Sequence, residues 1–76
     1  MGKPEVEQFI KKIGKRIREL RLEKNMSQLD LAIKSGVDER QIQRLENVET
    51  SPTLKTLLKV INGLDMDFPT FFTFPK

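Results

Sequence analysis

Three residues, Ser35-Gly36-Val37, separate two short stretches of helical spacing, and that separation constrains the chain more than any other feature. The first stretch opens at Ser27, which can cap the amide of Asp30 while Asp30 reaches back to the amide of Ser27. The helix so started runs from Gln28 to about Lys34, with Leu31 and Ala32 turned toward a core. Gly36 stops it, because only glycine takes the left-handed conformation freely. Asp38 is a good N-cap for the second stretch, Glu39 to about Asn47, in which Ile42 and Leu45 face inward. Helices joined by so short a turn cross closely, and Ala32 supplies a small side chain at the contact. Generic helix pairs carry such turns as well, so this geometry alone leaves function open.

The flanking sequence is helical too. Val6, Ile10, Ile13, Ile17 and Leu20 recur at steps of four, three, four and three, with Phe9 alongside, which predicts a helix from about Glu5 to Glu23. Gly14 lies inside it at a cost of about 1 kcal/mol relative to alanine, so a close neighbour is expected to require it. After a loop from Val48 to Ser51, Ser51 as cap and Pro52 at the first position predict a fourth helix. Its expected buried stripe is Leu54, Leu57, Leu58, Ile61 and Leu64. Asp67 can cap a last short helix from Phe68 to about Phe72, with Pro69 tolerated in the first turn. No stretch alternates with period two, so the expected fold is all-α with five helices.

Composition narrows the function classes. Seventy-six residues are expected to form one domain over 1–76, with a core at about 10–72 and residues 1–9 extending helix 1. Chains this small usually need disulfides, a metal or a second subunit. There is no cysteine and no histidine, which removes disulfides, the nitrogen and sulfur ligands of zinc, and Ser-His or Cys-His nucleophile pairs. No catalysis, metal or cofactor is expected. The net charge of +3 argues only weakly for a polyanionic partner. Seven cations nevertheless fall between Lys11 and Lys24 against Glu19 and Glu23, whereas the stretch 35–64 is neutral. No apolar run approaches the ~18 residues of a membrane span, and a signal-peptide core is missing, so no membrane partner is expected and the cytoplasm is the expected location.

A tight Gly-containing turn between short helices is the arithmetic of a helix-turn-helix. Around it stand Ile17-Arg18-Glu19-Leu20-Arg21, Met26-Ser27-Gln28, Leu31-Ala32, Gly36-Val37, Ile42, Leu45-Glu46-Asn47, and Ser51-Pro52 with Leu54 and Leu57. Jointly these resemble the Cro/repressor (XRE-like) helix-turn-helix family over roughly residues 10–72. The resemblance implies a five-helix lambda-repressor-like domain, sequence-specific binding of double-stranded DNA, a homodimer on an inverted-repeat operator, and control of transcription.

By that resemblance helix 3 is the recognition helix, and the base-reading positions fall on Glu39, Arg40, Gln41 and Arg44. Spacing alone puts Arg40 and Arg44 one turn apart, opposite Ile42 and Leu45, with Gln43 beside them. Their chemistry suits the major groove: Arg is bidentate to guanine, Gln to adenine, and Glu accepts from cytosine N4. An ordinary solvated helix face would carry the same residues. Gln28 matches the family's phosphate-contacting glutamine at the start of helix 2. Gln43, Asn47, Thr50, Ser51, Thr53 and Lys55 are the other expected backbone contacts, several of which would also serve as plain turn residues and caps. Arg21 and Glu46 match a structural salt bridge of the family. The cations from Lys11 to Arg18 read as a solvated face, with Glu7–Lys11 and Lys15–Glu19 paired at four-residue spacing.

The chain departs from the family pattern in three places. Val48 stands where glycine is common, and a β-branched residue resists the left-handed conformation; Glu49 replaces a basic residue and would repel phosphate. The recognition helix opens acidic, with Asp38-Glu39. Leu29 and Ile33 occupy commonly polar positions, as a stripe that either packs on Val6 and Phe9 or meets a partner. Phe68, Phe71, Phe72 and Phe74 crowd the carboxyl end as the expected dimer interface, with one or two of them filling the core. The alternative reading is a protein-interaction module, an antitoxin-like or adaptor subunit that holds a partner through its apolar surface.

Overall fold

The four-three spacing of helix 1 delivers Ile13, Ile17 and Leu20 to one buried face. In the computed structural model, which describes residues 3–49 and 51–74, this helix is α1, Lys3–Glu23. It begins ahead of the expected Glu5, and its first turns run on past the packed face: residues 5–9 are all exposed, Val6 and Phe9 included. Lys15 meets Glu19 at 3.9 Å. Among the described residues Glu7 and Lys11 form no such pair.

Helix α2 spans Gln28–Ser35 behind the reciprocal capping box: Ser27 Oγ accepts from the Asp30 N–H, and Asp30 Oδ2 accepts from the Ser27 N–H, each at 2.9 Å. The second of these bonds holds the Asp30 carboxyl below the usual carboxylate range. The stabilisation from that half of the box is therefore full above about pH 4 and is lost as pH falls through the lowered value, while the Ser27 Oγ bond does not titrate. Helix α3 spans Glu39–Glu46, with Asp38 at the N-cap position but making no side-chain cap bond. Helix α4, Leu54–Gly63, starts later than the sequence suggested, because the Thr53 hydroxyl, not that of Ser51, accepts from the first-turn amide of Thr56. Leu54, at its first position, lies in solvent, and the buried side of the helix is Leu57, Val60, Ile61 and Leu64, with Leu58 half-buried. Helix α5 is a single turn, Phe68–Phe71, capped by Asp67.

Helices α1 to α4 end in one way. A residue with left-handed φ (Asn25, Gly36, Val48, Asp65) is followed by an amide that bonds back five residues, to Arg21, Ala32, Arg44 and Ile61 respectively. Gly36 takes this conformation without cost, whereas Val48, at φ 57°, takes it against about 1–2 kcal/mol of steric resistance. The expected reluctance of a β-branched residue did not divert the loop.

The core gathers Ile13, Ile17, Leu20, Leu31, Ala32, Ile42, Leu45, Leu57, Val60, Ile61, Leu64 and Phe71. Phe71 is fully buried, which removes it from any surface the carboxyl end presents. Phe74 is half-buried, edge-to-face with Phe9 at 5.4 Å between centroids. Phe68 and Phe72, one turn apart, remain exposed. Arg16 leaves the solvated cation face: its Nε donates to the Phe71 carbonyl at 2.6 Å, and its Nη2 donates to that of Thr70 at 3.1 Å.

Gly14 is where α1 meets α3, and a Cβ there would collide with the Leu45 carbonyl oxygen. Gly14→Ala therefore sets a helix-propensity gain of about 1 kcal/mol against a backbone clash. The clash is expected to win, with a net loss of about 1–3 kcal/mol in denaturant unfolding, as for overpacked cores. An alanine variant as stable as the parent would mean the helices do not approach this closely.

Candidate nucleic-acid interface

The outer face of α3 is fixed from both ends. At its start, the turn at Ser35-Gly36-Val37 ties it to α2, and Ile42 and Leu45 anchor its inner side, 0% and 5% exposed. At its end, Glu46 takes a bidentate pair from Arg21 of α1: Nε to Oε2 at 2.7 Å and Nη2 to Oε1 at 2.9 Å. These side chains are only 10% and 3% exposed. Arg21 Nη1 also donates to the Met26 carbonyl at 2.9 Å, and Gln28 Nε2 donates to Glu46 Oε1 at 3.2 Å. Hydrogen bonding to Glu46 raises the guanidinium pKa further, so Arg21 remains a cation. The Arg21–Glu46 pair thus joins α1, the loop behind it, the start of α2 and the end of α3.

On this frame Glu39, Arg40, Gln41, Gln43 and Arg44 are all exposed. Helical geometry sets Arg40 and Arg44 at the centre of the outward face, flanked by Gln41 and Gln43, with Glu39 at its edge. Gln41 and Arg44 line a cleft with Ser51, Thr53 and Thr56, which brings two of the expected base readers beside two of the expected backbone contacts. Asn47, at the C-cap of α3, and Lys55, in the first turn of α4, are exposed but do not line that cleft. Thr50 lies outside the described residues. Gln28 is half-buried and tied to Glu46, a tether its place at a helix start gave no sign of. Its amide nitrogen carries two hydrogens, so one donor remains after that bond. Leu29 and Ile33 do not pack away: they are 50% and 71% exposed.

Two short helices in this relation, the second presenting arginines and glutamines outward, define a helix-turn-helix protein. Residues 17–71 match the helix-turn-helix family HTH_3, and the chain belongs to it. It is 35% identical over 60 residues to the HTH-type transcriptional regulator SutR of Escherichia coli (strain K12), a match covering 79% of this chain. The chain spans only about a third of SutR's length, since the match covers 34% of that protein. Among solved structures it is similar to the wild-type restriction-modification controller protein C.Esp1396I, at 36% identity and a TM-score of 0.80, covering 83% of this chain and 81% of that one. C.Esp1396I has also been crystallised as a tetramer with its natural 35 base-pair operator. The controller protein C.AhdI from Aeromonas hydrophila is 34% identical with a TM-score of 0.79, covering 86% of this chain and 98% of that one.

Removing Glu46 leaves the buried Arg21 guanidinium without its counter-charge. Glu46→Ala is expected to cost about 3 kcal/mol, at the lower end for a broken buried pair, and to lower the melting temperature by more than ~10 °C in the absence of any ligand. Calorimetry at one protein concentration checks this; an unchanged melting temperature would mean that water replaces the pair.

Proposed function

We propose that this chain is a sequence-specific double-stranded DNA-binding transcriptional regulator that acts as a homodimer on an inverted-repeat operator. The observation that carries the reading is the exposed α3 face of Arg40, Gln41, Gln43 and Arg44, held at one end by the Arg21–Glu46 pair. Membership of the helix-turn-helix family and the operator complex of C.Esp1396I support it. In this reading α3 enters the major groove, Arg40 and Arg44 address guanine, Gln41 addresses adenine, and Glu39 accepts from cytosine N4. The free donor of Gln28, the amides that open α2, and Gln43, Asn47, Ser51, Thr53 and Lys55 contact phosphates and set the register. Arg21 and Glu46 hold the frame and touch no DNA.

Two recognition helices meet the half-sites of an inverted repeat, in successive major grooves about 34 Å apart, when two subunits are related by a two-fold axis. Phe68 and Phe72 are the exposed aromatics that such an axis would join. The same reading makes residues 1–76 one domain that works in the cytoplasm without catalysis, metal or cofactor. One observation favours a second role, as a protein-binding module: the exposed Leu29/Ile33 stripe on α2. Adding candidate partner proteins to the DNA-binding assay separates the two roles.

Selection of bound sequences from random duplex, followed by titration of the selected site against a scrambled one, tests the main reading. A dimer that makes ~6–10 phosphate contacts should lose about 10³–10⁵ in affinity between about 50 and about 200 mM salt, and a flat salt response would count against duplex binding. Arg44→Ala should cost about 1–3 kcal/mol at one base pair per half-site and relax the preference there, whereas Gln28→Ala should weaken all sequences alike. An unaltered preference after Arg44→Ala would place the reading face elsewhere.

A further inference from the structure

Helix α5 cannot hold its own place. It is four residues long, below the length at which a helix is stable by itself, and its last carbonyls have no partner within the helix. Beside its packing on α4, three things fix it in place. Asp67 caps its start, where hydrogen bonding from Thr70 lowers the carboxyl pKa, and the fully buried Phe71 ring anchors its inner side. The third is Arg16, reaching across from α1, 54 and 55 residues distant in sequence from its partners. Its Nε and Nη2 serve the Phe71 and Thr70 carbonyls at 2.6 and 3.1 Å, and its guanidinium carbon lies 5.8 Å from the centroid of the Phe71 ring. The Phe71 ring in turn meets Phe72 edge-on, with centroids 5.2 Å apart. A continuous path of contacts therefore runs from Arg16 through Phe71 to an exposed aromatic. Arg16 itself is half-buried, and its two guanidinium bonds are spent on backbone carbonyls.

We infer that Arg16 is the positioning residue of the subunit-association surface: it clamps α5 to α1 and so sets the orientation of Phe68 and Phe72 toward a second copy of this chain. The inference rests on the proposed homodimer. Arginine suits the task because its rigid fork presents two donors to two adjacent carbonyls while its face lies against an aromatic ring; lysine offers a point charge without that geometry.

Sedimentation across protein concentration, with circular dichroism and operator binding in parallel, tests the clamp on the full chain. Arg16→Ala is expected to weaken self-association at least about tenfold while keeping the helical signal of α1 to α4, and to weaken operator binding at low concentration. Joining two Arg16→Ala copies through a flexible linker should restore binding by raising the effective concentration of one half for the other. Phe72→Ser, in the surface itself, should weaken association in the parent in the same way. If the parent associates and Arg16→Ala associates equally well, the clamp is overturned while the dimer stands. If the linked variant binds no better than the unlinked one, the loss is not one of association and the inference is again overturned. A parent that stays monomeric at tens of micromolar, roughly the scale of weak association, overturns the dimer and the clamp together. Should Arg16→Ala lose its helical signal, Arg16→Lys carries the test: weakened association with the fold retained supports the clamp, and unchanged association overturns it.

Discussion

The ion pair between Arg21 and Glu46 is the interaction on which the outward face of α3 depends. An eight-residue helix is about 12 Å long and too short to persist by itself, so tertiary contacts must set its position. The turn from α2 and the buried Ile42 and Leu45 fix its start and its inner side. Its far end is fixed by charge: two short bonds from a side chain on another helix, in a site where neither partner is well solvated. The pair has an electrostatic consequence as well. Alone, Glu46 would set a second carboxylate against the two arginines of α3; paired with Arg21, it leaves Glu39 as the acidic group among the exposed residues of the helix. A neutral frame under a cationic face is a suitable arrangement for approaching phosphate.

Much of this was legible because it is local. Helix spacing, the Ser27–Asp30 box and the left-handed stop at Gly36 depend on residues a few positions apart, and the elements they imply are present. The errors fell where two local signals competed or where a distant partner decided. Ser51 and Thr53 are both capping residues, and Thr53 is the one that caps α4; packing against the rest of the core, which spacing did not give, buries Val60 and leaves Leu54 exposed. Val48 has the wrong shape for a left-handed position, yet the stop it occupies satisfies two carbonyls at the end of α3, those of Leu45 and Arg44. Two backbone hydrogen bonds, at about 1 kcal/mol each, suffice to offset the steric cost. Within the interface, the residue types and face of α3 were readable from spacing, whereas the tether of Gln28 to Glu46 spans 18 positions and was not.

The carboxyl end shows the same limit more sharply. Four phenylalanines within seven positions announce an apolar surface, but composition does not say which side each ring takes. Around this short turn Phe68 and Phe72 stay exposed while Phe71 is buried, and Phe71 is the one that Arg16 and the core enclose. Arg16 belonged by sequence to a run of solvated cations; only the arrival of α5 against α1 gives it carbonyls to bind.

Arg16 and Arg21 give α1 a function that its amphipathic pattern does not express. Five residues apart, they are separated by about 7.5 Å along the helix axis, on a backbone whose hydrogen bonds make it stiff. One holds α5 and the other holds α3. Gly14, one turn before Ile17, lets the Leu45 backbone lie against the same helix, so α3 touches α1 at two levels and cannot pivot on it. The distance from the proposed reading face to the proposed association face then depends on α1, to which α3 and α5 are both tied, together with α4, against which α5 packs. A two-fold axis doubles that distance, and the spacing of half-sites that a dimer accepts follows from it. In the proposed reading, base preference belongs to the α3 side chains, while half-site spacing belongs to the helices that join α3 to α5, with Arg16 and Arg21 among their fastenings. Substitutions on α3 should therefore change which bases are read without changing their separation, and loosening α1 from α5 should relax the separation without changing the bases.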